Sequence, residues 1–206
     1  MYLFNELKEK YNQIFYNING YNVSLNERNN NLNNPEKSGV LYGETPFELF
    51  FALMNLDILE NYLKKAKVFY DLGSGIGNLT ISAYMIRKFE KCCGVELLDS
   101  LYSLSTIALE RFYDLYKDAK NKVSFIHDNM LNVDISDADI IYFSCPSKDD
   151  NFRYAMEEKF KNTLKSRTII MSLIHVFKNK TDFDIITSRM VRSAWGQTPM
   201  VIYKKK

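Results

Sequence analysis

Three carboxylates and a glycine turn carry the chemistry that can be read from this chain. The stretch FYDLGSGIGNLT, residues 69–80, puts Asp71 at the end of a strand-like run and glycines at 73, 75 and 77 directly after it. A glycine turn between strand and helix brings backbone amides and a helix N-terminus against a ligand. Dinucleotides, nucleoside triphosphates and S-adenosylmethionine (SAM) are all held at such turns. The spacing separates them. A dinucleotide fingerprint reads GxGxxG, and its last glycine would fall at Asn78; a triphosphate loop needs a following lysine, which is missing. Glu96 ends the next strand-like run, in CGVE, where a carboxylate can accept bonds from both hydroxyls of a ribose. Asp128 ends the third, in FIHDN, where an acceptor beside backbone N–H groups can read an adenine amino group and ring nitrogen. Asp71 can fix the loop amides or receive a cationic amino group. One carboxylate at a strand end is an ordinary solvated residue or helix cap. Three in register with the turn fit an adenosine that has no phosphate to neutralise and is joined to an amino acid, which is SAM.

Such a set needs strands that end side by side. KVFYDLG, KCCGVELL, KVSFIHDN, ADIIYFSC and RTIIMSLI read as strands, separated by helical stretches at 77–90, 99–119 and about 149–164, with the loop near 131–137 a further candidate. This alternation implies an α/β, Rossmann-like fold whose mostly parallel sheet is covered on both faces, with ligands at the strands' carboxyl ends. FDIITSRMVRSAWG and PMVIYKKK then read as an antiparallel hairpin joined by a Gly/Pro-containing turn at the sheet edge. Together these make the seven-stranded sheet of class I SAM-dependent methyltransferases, whereas a dehydrogenase would lack the antiparallel pair. Upstream, residues 2–17 are spaced as an amphipathic helix, and Thr45 can cap a second helix with Pro46 in its first turn. Residues 17–39 are asparagine-rich and too polar for a core, which predicts a mobile loop. The expected division is an N-terminal helix and loop extension over 1–40 and a methyltransferase domain over 41–206.

A chain of 206 residues with 46% hydrophobic content buries one full-sized core. Its net charge of +2 gives little general attraction for nucleic acid or anionic membrane, and the only basic run, Lys204–Lys206, reads as a solvated tail. Cys92, Cys93 and Cys145 are odd in number and lack CxxC spacing, which argues for free thiols and against a metal site. The N-terminus carries Glu6 and Glu9, unlike a secretory signal, and no apolar run reaches the roughly 18 residues of a bilayer span. An intracellular protein, in cytoplasm or nucleus, with no membrane partner is expected.

LYGETPFELF, FYDLGSGIGNLTISA and CCGVELLDSLYSLSTIALERF together resemble the catalytic domain of the disruptor-of-telomeric-silencing family, histone lysine methyltransferases built on the seven-stranded fold instead of the SET fold. The resemblance covers roughly residues 40–175, and Tyr-Gly-Glu-Thr is its specific part. It implies that Tyr42, Glu44 and Thr45 line the methionine end of SAM, that Asp71, Gly73, Gly75 and Asn78 form the turn, that Glu96 holds the ribose, and that Asp128 with Asn129 holds the adenine. It also implies a protein substrate presenting a lysine.

The departure lies after the fourth strand. The family has a pair of asparagines there, and this chain has YFSCPSKDD, with Ser144 in the first asparagine's place. A hydroxyl can accept a bond from an amine but offers one oxygen where an amide offers paired groups. The same stretch partly matches the Asn/Asp/Ser-Pro-Pro-aromatic element of methyltransferases acting on adenine or glutamine amino groups, through Ser144 and Pro146. Three readings follow: a protein lysine N-methyltransferase, which is favoured; a methyltransferase for nucleic acid or a small amine; and a SAM-binding partner subunit without activity. Direct displacement at a sulfonium needs an aligned neutral nitrogen and a shielded site, not a strong base. Tyr42 and Ser144 are the catalytic candidates, with Phe143 or Trp195 as aromatic walls. His127 and His175 read as bystanders because neither has an evident partner.

Overall fold

The computed structural model describes residues 2–31, 42–144, 149–174, 176–178, 181–193 and 196–206. Cys145, Pro146, His175 and Trp195 lie outside them. Helices α1 (Tyr2–Ile14), α2 (Gly20–Asn30), α3 (Phe47–Leu53) and α4 (Glu60–Leu63) precede strand β1 (Val68–Leu72). Helix α5 (Asn78–Arg87) leads to β2 (Lys91–Glu96), and α6 (Asp99–Leu115) to β3 (Val123–His127). After β4 (Ile140–Ser144) come α7 (Asp150–Thr163), β5 (Ile169–Leu173) and the pair β6 (Phe183–Ser193) and β7 (Gly196–Lys205). The seven strands lie in the order β3-β2-β1-β4-β5-β7-β6. β1 to β5 run parallel; β7 enters antiparallel beside β5, and β6 closes the edge. This is the Rossmann-like class I methyltransferase sheet expected from the alternation.

The central strands are buried on both faces, which is why they read as continuous apolar runs. Phe69 and Tyr142 face α1, α3, α5 and α6, where Phe50 meets Tyr142 edge-on at 5.7 Å. Leu72, Phe143 and Tyr203 face α7 and the hairpin side, where Phe143 packs edge-on against Phe160 at 5.3 Å and Phe177 stacks on Tyr203 at 4.2 Å. Phe143 is thereby core, not an aromatic wall for an acceptor.

Four local expectations change. Residues 20–30 are a helix, not a loop: Asn19 caps α2 by accepting from the Asn22 amide at 3.4 Å, and the buried face is made of Gly20 and Ser24. Small residues let the helix lie close to α6 without an apolar stripe, so hydrophobic periodicity could not announce it. Thr45 does not cap α3; Pro46 takes that position without a side-chain bond, and the Thr45 hydroxyl turns instead to Tyr142. Residues 131–137 form turns, held by side chains such as Asp134, which accepts from the Ser136 amide at 2.9 Å. Lys204 and Lys205 are the end of β7, with Lys206 directly behind. All three lie against acids, Lys204 at 3.1 Å and Lys206 at 3.7 Å from Asp184 and Lys205 at 3.6 Å from Asp182. Among the described residues no helix is long and apolar enough to cross a membrane.

Candidate functional site

The carboxyl ends of β1, β2, β3 and β4 meet above the glycine turn. Gly73, Gly75 and Gly77 all have positive φ, at 85°, 56° and 82°. Two of them are also required by close approach. A Cβ on Gly75 would come within 2.7 Å of the Tyr42 ring, and one on Gly77 would overlap the ring of Phe125 from β3. Chain reversal at Gly77 opens α5 with Asn78, whose side chain donates to the Thr45 carbonyl at 3.4 Å and so ties the Tyr42–Thr45 segment to the turn.

The turn is held by β2. Gly73 and Ser74 amides donate to the Val95 carbonyl at 2.9 and 3.0 Å, and the Gly75 amide donates to Glu96 Oε2 at 2.8 Å. Glu96 Oε1 accepts from the Leu98 amide at 2.8 Å. Burial pushes this carboxyl up from its ordinary value, against the pull of the Leu98, Gly75 and Leu97 amides. Asp71, expected to fix the loop amides or take a cation, leaves those amides to Val95 and Glu96. Its Oδ2 accepts from the Thr80 hydroxyl at 2.9 Å, and burial, reinforced by the charge of Glu96, pushes the carboxyl up to about 7.

Over the turn, the Tyr42 hydroxyl donates to Glu44 Oε1 at 2.6 Å; burial first, then the Glu44 charge, raises the phenol so that it remains a neutral donor. Thr45 Oγ1 and the Tyr142 hydroxyl share a bond of 2.7 Å. A cavity of about 20 Å³ lies among these groups, bordered by Tyr42, Asp71, Gly75, Asn78, Tyr142 and Ser144. The Ser144 hydroxyl is buried there and has no hydrogen-bond partner among the described residues, and the same holds for Ser74. Asp128 and Asn129 stand further along, at the end of β3. The Asp128 amide donates to the Glu96 carbonyl at 3.1 Å, and Asp128 Oδ1 accepts from the Asn129 amide at 2.6 Å and the Asn132 side chain at 2.9 Å. Asn129 spends its own side-chain oxygen on the Leu131 amide at 3.0 Å.

Sequence reasoning missed several neighbours. Thr80 and Tyr142 each bond a predicted site residue, and the Tyr11 hydroxyl from α1 bonds Asn78 and is pushed up to about 12, chiefly by burial. Only Thr80 had a signal, a hydroxyl in the first turn after a glycine loop. His127 does have partners: its Nε2 lies 3.2 Å from the Leu97 carbonyl and 3.3 Å from Asp99 Oδ1, and its ring stacks on Tyr102 at 4.8 Å.

The donor set decides what such a site can take. Acids, hydroxyls and backbone amides converge, and among the described residues the cavity lining holds no lysine or arginine to neutralise phosphate. A phosphate-free nucleoside carrying a positive charge fits this chemistry better than a dinucleotide, whose pyrophosphate would need the turn amides that Val95 and Glu96 already take.

A family model described as histone methylation protein DOT1 matches residues 21–196. No curated protein matches significantly. Among solved structures, an RNA methyltransferase from Salinibacter ruber, in complex with S-adenosyl-L-homocysteine, is similar with a TM-score of 0.58 at 18% identity, over 79% of this chain and 94% of its own. A magnesium protoporphyrin IX methyltransferase from Synechocystis PCC 6803 gives 0.56 at 10% identity over 78% and 83%. A tRNA methyltransferase from B. subtilis gives 0.52 at 14% over 74% and 68%. At such identities the likeness establishes the fold.

Proposed function

The chain belongs to the DOT1 family of histone methylation proteins, and from that premise we propose that it methylates the side-chain amine of a protein lysine. It is a SAM-dependent methyltransferase, and SAM is its cofactor. The observation that carries the lysine reading is the family match, which includes the Tyr42–Thr45 segment lying on the glycine turn. In this reading residues 41–206 form the methyltransferase domain and 1–40 an extension to it.

SAM supplies a methyl group on sulfonium, which an amine nitrogen takes in line as the carbon–sulfur bond breaks and its electron pair stays on sulfur. The residues bind and align. Glu96, its two oxygens already oriented by Gly75 and Leu98, has further lone pairs for ribose hydroxyls. Asp128 Oδ2, outside the bonds that hold Oδ1, accepts from the adenine amino group in this reading, with Asn129 shaping the turn beside it. Asp71 receives the ammonium of the methionine part, near Gly73, Asn78, Glu44 and Thr45. The Tyr42 ring turns off Gly75 to admit a nucleoside, since the cavity beside it measures only about 20 Å³. Ser144 accepts a hydrogen bond from the acceptor amine, which gives its ammonium proton to solvent before it reacts; transfer leaves the methylated nitrogen a cation, which keeps its charge or returns one of its two protons to solvent.

A second reading, methylation of a nucleic-acid amino group, is supported by Ser144 standing where the family has asparagine and by the RNA methyltransferases among the fold neighbours. Incubating the protein with methyl-labelled SAM and a cell extract separates the two. Label that protease removes and that hydrolyses to methyl-lysine supports the lysine reading; label that survives protease and is lost to nuclease overturns it.

A further inference from the structure

We infer that Glu27, in the helix α2, is a positioning residue for the adenosine half of the SAM site. The inference rests on the reading of Glu96 as the ribose acceptor and goes beyond it. Helix α2 touches the site at both ends. Its first residue, Gly20, lies so close to the Tyr42 hydroxyl and Ile76 that a Cβ there would overlap both. One face further along, Glu27 reaches the start of α6, where Oε1 accepts from the Asp99 amide at 3.0 Å and Oε2 from the Ser100 amide at 2.8 Å.

Those two amides follow Leu97 and Leu98 directly, so the chain after β2 is pinned from both sides. Glu96 draws in the Leu98 amide from the strand, and Glu27 draws in the next two from α2. A helix start leaves its first amides without internal partners, and α6 has no side-chain cap of its own at Leu98. Glu27 does this work from more than 70 positions away, and its carboxylate lies at the positive end of the helix. The arrangement carries a cost that a purely structural cap would avoid: the Glu27 charge adds to the burial that raises Glu96. Placing a second acid this near the ribose acceptor is consistent with a demand for fixed geometry at residues 96–100. His127 supports the same segment from β3, through the Leu97 carbonyl and Asp99.

The test compares this cap with another of similar chemistry on the far side of the sheet, Asp149, which accepts from the Asn151 amide at 2.9 Å at the start of α7. SAM binding by calorimetry and thermal unfolding without SAM are measured on the full chain. Glu27→Ala is expected to raise the Kd for SAM about tenfold and Glu27→Gln about threefold, because an amide side chain has one oxygen for two N–H donors. Asp149→Ala should lower the melting temperature comparably and leave the Kd within twofold of wild type. A Glu27→Ala variant that melts early but binds SAM as the wild type does overturns the inference. Should that variant not fold, a wild-type Kd in Glu27→Gln overturns it equally. Absence of SAM binding by the wild type would overturn the reading of the site itself, a result the variants cannot mimic.

Discussion

The two halves of the site are built from different materials. In the proposed site the groups at the ends of β1, β2 and β3 are acids, and each is tethered: Glu96 by the Gly75 and Leu98 amides, Asp71 by Thr80, and Asp128 by Asn129 and Asn132. At the end of β4 the proposed acceptor group is one neutral hydroxyl, Ser144, buried without a partner among the described residues. The difference follows from what each half must do. A fixed ligand with hydroxyls, an amino group and a charge is held by several oriented acceptors. Transfer from a sulfonium asks the acceptor half only for alignment and dryness, which one hydrogen bond and the exclusion of water can supply.

If that division is right, the largest losses come from the tethered acids. Replacing Glu96 with alanine removes the ribose acceptor and leaves the buried Gly75 and Leu98 amides unpaired. Charge-assisted bonds contribute about 1.5–3 kcal/mol each, so SAM affinity should fall at least about 100-fold in calorimetry. Affinity within threefold of wild type would show that the cofactor does not lie on β2.

Asp71 gives the next effect, and its sign is informative. Its carboxyl sits at about 7 in the folded protein, against an ordinary 3.8. The folded chain therefore binds this proton more tightly than the unfolded chain. The group's contribution to stability is complete below pH of about 4 and is lost as pH rises through about 7. Binding of an ammonium needs the carboxylate, so SAM affinity should move the opposite way, rising roughly tenfold per pH unit until about pH 7 and then levelling. Asp71→Asn should flatten that dependence. A wild-type affinity that ignores pH between about 5.5 and 8 would remove Asp71 from the ammonium's path.

The tethered half was also the legible half. Alternation of strands and helices, the glycine turn and the strand-end acids each have a local pattern, and β1 to β5 fall where those patterns put them. What could not be read were partners supplied from far along the chain. Thr45 bonds Tyr142, and Glu27 caps α6, through pairings 97 and 72 residues apart. Helix α2 was hidden for a related reason: its buried face is Gly20 and Ser24, and a helix that docks by small residues leaves no apolar stripe. The lysines 204–206 looked like a tail because only the fold places Asp182 and Asp184 beside them.

Asp128 should matter less than Glu96, because it is only partly buried and in the proposed site reads one edge of a base. Asp128→Ala is expected to weaken SAM binding about fivefold to tenfold, the worth of one partly solvated hydrogen bond of about 1–1.4 kcal/mol. Asp128→Asn should do less, since the amide oxygen can replace one acceptor. Equal losses in both variants would mean that the effect comes from the turn held by Asn129 and Asn132, not from contact with adenine.

The smallest effect belongs to the acceptor half and is the sharpest test of the contrast. Ser144→Ala deletes one neutral hydroxyl that bonds nothing among the described residues, so no protein partner is stranded and stability should hardly change. SAM affinity should also stay within twofold, because the atoms that tether the cofactor acids are untouched. The loss should appear in kcat alone, about fivefold, which is the worth of one hydrogen bond of roughly 1 kcal/mol made to the reacting nitrogen. Ser144→Asn then becomes the more telling variant. If the hydroxyl orients a lysine amine, an amide oxygen at the same place should restore or raise kcat on a protein acceptor. If the acceptor is a flat base, the bulkier side chain should obstruct it and lower kcat further. A drop in SAM affinity equal to the drop in kcat would put Ser144 with the cofactor and erase the division between the two halves.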